Sequence, residues 1–207
     1  MNAEMQGARD DLAYMRTLVS GAGQFQATAG ELFLWAGLLY GLQCIGHWLD
    51  IVRAVDLSPS GRLALAFGPT VVFLVVLAVV IWKARRTATA GGAASRALSA
   101  AFQGAGLANL VMAFVFAYGA YKAHSLTIWL YHPIVVCMFQ GVAWFVAWTI
   151  RRRAWVGLVA AGWFVVTIAC GLLVGDIGVF ILTLGIALII LMALPGYVMM
   201  RAAKAQA

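Results

Sequence analysis

With 64% of its 207 residues apolar and 10% charged, the chain departs far from the composition of a domain that folds in water. Its net charge of +7 rests on 14 Lys and Arg against 7 Asp and Glu. These basic residues sit in short loops beside apolar runs, where membrane orientation and contact with anionic lipid heads account for them, so nucleic-acid binding is set aside.

Residues 1–30 read as a cytoplasmic segment. Asp10 and Asp11 suit the start of a helix, Leu12, Met15, Leu18 and Val19 recur at helical spacing, and Gly21 and Gly23 interrupt the pattern. A short amphipathic helix on the membrane surface is expected, and the same helix is a candidate docking site for a soluble partner. Glu4, Asp10 and Asp11 ahead of the first apolar run speak against a cleavable secretory signal.

Six apolar runs follow, at 32–50, 63–82, 98–120, 127–150, 155–174 and 177–199, with a tail at 201–207. About 20 apolar residues cross the roughly 30 Å hydrocarbon layer as a helix, the form in which such a segment satisfies its own backbone. The expected fold is therefore all-α, a polytopic bundle of six transmembrane helices over residues 31–200. Eleven of the 14 basic residues fall on one side: Arg9, Arg16, Lys83, Arg85, Arg86, Arg96, Arg151, Arg152, Arg153, Arg201 and Lys204. Arg53, Arg62 and Lys122 fall on the other. Both termini are thereby expected in the cytoplasm. Trp48, Tyr121, Trp129 and Tyr131 mark outer ends and Trp35, Trp82, Trp148 and Trp155 inner ends, while Trp144 and Trp163 lie deeper and need partners for their indole N–H groups.

The run Asp10-Asp11-Leu12-Ala13-Tyr14-Met15-Arg16, followed by Gly30-Glu31-Leu32-Phe33-Leu34-Trp35-Ala36-Gly37, resembles the opening of a loose group of uncharacterised bacterial inner-membrane proteins. Those proteins begin with a cytosolic helix and a Trp-bearing first span. The resemblance covers about the first fifty residues; it implies a multi-pass protein of the bacterial inner membrane and no activity.

Within the runs, Gly37 with Gly41 and Gly171 with Gly175 form GxxxG pairs, which suit close helix packing inside the bundle or across a homo-oligomer. Gly68-Pro69-Thr70-Val71-Val72 and His132-Pro133-Ile134-Val135-Val136 open spans two and four alike, a pattern open to a two-helix repeat or to prolines placed where a missing N–H costs nothing. Pro195 reads as a helix-ending kink.

Function would lie in the polar residues at membrane depth. His47, Asp50, His132 and Asp176 all fall at the outer side, and neutral imidazole beside carboxylate suits a divalent metal or a proton relay. Two histidines on different spans also suit axial haem ligation, and the plainer role of all four is as wet helix ends. No cofactor is expected, since no HExxH, CxxC or His-rich tract accompanies them. Cys44, Cys137 and Cys170 read as small buried apolar residues. Gln43, Gln103, Asn109 and Gln140 are candidates for a polar path, or for hydrogen bonds between helices. No catalytic motif and no charged residue at mid-membrane is present in the sequence, so the reading is a non-enzymatic sensor, assembly factor or partner-binding protein. The runner-up is a small-solute transporter or channel.

Overall fold

The computed structural model describes residues 2–86 and 92–205, with side chains from residue 26 onward. The described residues form an all-helical chain: α1 (Asn2–Ile51), α2 (Pro59–Arg86), α3 (Ala93–Ala123), α4 (Leu126–Arg151), α5 (Ala154–Leu173), α6 (Ile177–Leu188) and α7 (Leu194–Lys204). A π-helical turn, Ile189–Ala193, joins α6 to α7, so the last three form one sixth span. Among the described residues six helices are long and apolar enough to cross a membrane, and each apolar run expected from sequence falls on one of them.

The helix of the leading segment and the first span are one element, not two. α1 is already helical at Asn2 and continues through Gly21 and Gly23 without a break. Asp10 and Asp11 therefore lie inside a helix and do not open one. Each glycine costs about 1 kcal/mol against alanine in a helix interior, too little to break a helix propagating from both sides. The stripe Leu12, Met15, Leu18 and Val19 lies outside the described side chains. At roughly 1.5 Å per residue, residues 2–25 add about 36 Å of helix ahead of the first span.

The prolines also sit differently from the expectation. Pro59 occupies a helix start, while Pro69 and Pro133 lie inside α2 and α4. Proline withholds an N–H from the preceding turn, and neighbouring side chains restore the bonding. On α2, Gln43 Nε2 donates to the Ala66 carbonyl at 2.9 Å, one residue beyond the Leu65 carbonyl that Pro69 leaves without its helical donor. Pro195 does not end its helix either, since α7 runs on to Lys204. The chain widens just before it, with the Leu194 N–H donating to the Ile189 carbonyl, a five-residue step that accommodates the break in the regular ladder.

α1 is the centre of the packing. It carries α2 on one side, lies along α6, the π turn and α7 on another, and touches α3, while α4 packs between α3 and α5. The contact between α1 and the sixth span brings backbone against backbone at several glycines. A Cβ on Gly37 would meet the Ala193 nitrogen and stand 2.7 Å from the Leu188 oxygen, and one on Gly30 would stand 2.7 Å from the Gly196 oxygen. A Cβ on Gly196 would come within 2.5 Å of the Leu34 nitrogen, and one on Gly185 within 3.2 Å of the Gly41 oxygen. The pair Gly37 and Gly41 is thus used inside the bundle. Gly171 and Gly175 are not: a Cβ on either meets nothing within 4 Å.

The buried core runs from Phe33 through Leu98, Trp144, Val156 and Trp163 to Met199, with a smaller cluster of Leu130, Cys170 and Phe180. Its aromatic centre is a set of edge and tilted contacts: Phe33 to Phe102 at 5.0 Å, Phe33 to Trp144 at 5.4 Å and Phe102 to Trp144 at 5.6 Å between ring centroids. All three cysteines are free, and Cys137 and Cys170 are fully buried in the packing.

The glycine seam has a direct test. Gly37→Ala forces a methyl into the π turn and should lower stability in detergent by about 1–3 kcal/mol. Gly171→Ala, facing open space, should leave stability unchanged or raise it by up to about 1 kcal/mol. Thermal unfolding of the two variants side by side measures the contrast.

Candidate functional site

The four residues expected as an outer metal set do not come together. Among the described residues no three His, Cys, Asp or Glu side chains form a group able to hold a metal ion. Each of three has another occupation. Asp50, at the end of α1, is held by the fork of Arg62: Nε donates to Oδ2 at 2.8 Å and Nη2 to Oδ1 at 3.1 Å. The Leu57 N–H also donates to Oδ1, at 3.4 Å, so the carboxylate closes the turn between α1 and α2. A carboxylate committed to a bidentate guanidinium has little left for a cation. His47 is close enough to Asp50 to interact with its charge, as their spacing of three on one helix requires.

His132 lies elsewhere, against α3. Its ring stacks on Trp129 at 5.1 Å, lies 6.1 Å from Phe116, and brings Nε2 to 3.4 Å from the Asn109 backbone oxygen. Asp176 caps α6, its Oδ1 accepting from the Val179 N–H at 3.1 Å. This is the side-chain cap that satisfies one of the orphan donors at a helix start. Turn closure thus occupies Asp50 and helix capping occupies Asp176.

The expected polar path divides in the same way. Gln43 is bonded to α2, and Tyr40 beside it pairs with Thr70 and lies 5.6 Å from Phe73. Gln103 is exposed and donates to Ser99 one turn earlier on its own helix, at 2.7 Å. Asn109 Oδ1 and Gln140 Oε1 are buried without a hydrogen-bond partner, as are the indole nitrogens of Trp144 and Trp163. The four residues thus stand as two hydrogen-bond donors to neighbouring helix groups and two half-buried side chains with a buried amide oxygen.

What sequence reasoning missed lies at the opposite end of the bundle, where Gln26 meets Met199. Gln26 is buried, and its amide joins three helices. Its Nε2 donates to the Met199 carbonyl of α7 at 3.4 Å, and its Oε1 accepts from Nη1 of Arg151 of α4 at 3.0 Å. Beside this tether is a cleft lined by Leu98 and Phe102 of α3, Trp144, Ala147 and Arg151 of α4, Trp155 and Val156 of α5, and Met199. It encloses about 20 Å³, room for one water-sized group. None of the four path candidates lines it. Arg151 was legible only as one of three consecutive arginines, and Gln26 only as part of a polar segment.

The two readings of Asp176 separate by substitution. As a helix cap, Asp176→Ala should lose about 1 kcal/mol of stability while Asp176→Asn or Asp176→Ser keeps most of it. A chelator should leave the wild-type thermal midpoint in detergent unchanged. Comparison with protein-family models, with curated proteins and with solved structures finds no match for the chain.

Proposed function

We propose that this chain is a non-enzymatic protein of the bacterial inner membrane, with both ends in the cytoplasm, in which the leading part of α1 docks a soluble partner. The observation that carries the reading is the continuity of α1. One helix of 50 residues provides both the leading arm and the span on which α2, α6 and α7 pack. A partner seated on the arm would bear directly on the helix that organises the bundle. The occupation of Gln43 and Gln103 in structural bonds favours this over a polar route for a solute. The orientation follows the eleven-to-three distribution of Lys and Arg.

Two measurements test it. In a background lacking Cys44, Cys137 and Cys170, single cysteines beside Arg86, Arg152 and Lys204 should resist an impermeant thiol reagent in intact cells; labelling at Arg152 from outside overturns the topology. A photo-cross-linking residue placed in turn at positions 8 to 15 should yield one discrete protein adduct whose intensity repeats with helical period. The same residue at Leu110 or Phe114, exposed on α3, should yield none. Absence of any protein adduct along the arm overturns the partner reading.

A further inference from the structure

At the end of the bundle where α1 enters, three features of one sign meet. Arg151 is half-buried at the mouth of the cleft, with Arg152 and Arg153 exposed next to it. The first turn of α5 contains no acidic residue, and its N-cap, Arg153, makes no side-chain cap. Its leading N–H groups therefore add partial positive charge at the same spot. Among the described residues no carboxylate lies within ion-pair distance of Arg151. Among the described residues its guanidinium donates to the Gln26 amide oxygen, which takes one of five N–H donors and holds the group in place.

An independent observation comes from the cleft lining. Trp144 is 2% exposed, lines the cleft, and has an indole N–H without an acceptor. A buried donor without a partner is costly, and the group that relieves it must be an acceptor. The remainder of the lining is apolar and includes Trp155, whose ring lies 6.1 Å from Trp144. With space for one water-sized group, the cleft admits an oxygen but no acyl chain.

We propose that this cleft is a binding site for the phosphate head of an anionic phospholipid. One phosphate oxygen enters toward Trp144, the guanidinium of Arg151 binds the phosphate through its remaining N–H groups, and Arg152 and Arg153 supply longer-range attraction. The acyl chains remain outside, along the exposed apolar surface of α3, where Leu107 and Leu110 lie open. Arginine suits this role because its planar fork binds phosphate oxygens in pairs, and basic pockets between spans at a membrane face are where lipid heads are held.

The test is retention of lipid by the full chain, read by native mass spectrometry from mixed phosphatidylglycerol and phosphatidylcholine micelles. Wild type should keep one phosphatidylglycerol through stepwise delipidation, in preference to phosphatidylcholine. Arg151→Gln should weaken retention by about tenfold or more, the worth of a charge-assisted bond. Trp144→Phe keeps an aromatic ring in the packing and leaves Arg151 in place while removing the N–H together with part of the indole, so it keeps the site testable should Arg151→Gln not fold; it should weaken retention several-fold. Equal retention of the two lipids by wild type, or unchanged retention in Trp144→Phe, overturns the proposal. Displacement of phosphatidylglycerol by millimolar inorganic phosphate overturns the lipid as the source of the phosphate.

Discussion

The bundle depends on the close backbone approach of α1 to the sixth span. In lipid there is little hydrophobic drive to pair two apolar helices, so close packing has to supply the attraction, and packing is densest where backbones touch. Gly30, Gly37 and Gly41 on α1 and Gly185 and Gly196 opposite remove the atoms that would hold the helices apart. They also fix the register, because a shift of one residue along either helix would set larger side chains against these backbones. Gly37 faces the π turn itself, so the widening of the sixth span ahead of Pro195 is matched by a missing side chain on α1.

From that register follow the positions of the polar groups. With Gly30 against Gly196, Gln26 stands beside Met199, one turn farther along each helix, and its amide reaches the carbonyl there and Arg151 together. At the other end α1 finishes at Ile51, and Asp50 is in place to receive Arg62 from the start of α2. Helix α2 is pinned along its length by Gln43 and Tyr40, whose bonds to Ala66 and Thr70 straddle Pro69.

The six spans were legible because length and apolar character are local properties, and the membrane requirement of internal hydrogen bonding converts them into helices. Gly37 and Gly41 were legible as a close-packing pair, but so were Gly171 and Gly175, which meet nothing; spacing reveals that two glycines share a face and says nothing about what the face meets. The same limit explains the four outer residues. His47, Asp50, His132 and Asp176 share a depth, and depth was readable, but convergence depends on helix rotation, which here sends Asp50 to Arg62, His132 to α3 and Asp176 to the start of α6. The importance of Gln26 had no local signal, since a buried glutamine and a solvated one in a polar segment have the same sequence neighbours.

Gln26 also sets how an anion near Arg151 can act on the fold. If binding required Arg151 to leave Gln26, the glutamine oxygen would be stranded in a buried position at a cost of about 1–3 kcal/mol, comparable to the bond gained. The guanidinium avoids that exchange because it has five N–H groups in a fixed plane, with one spent on Gln26. A lysine in its place, with rotatable donors on a single nitrogen, would lack the fixed division of one edge toward Gln26 and another toward a ligand. The tether that fixes the entry of α1 into the bundle and the cation that faces the cleft are thus the same side chain, and both roles can be filled at once.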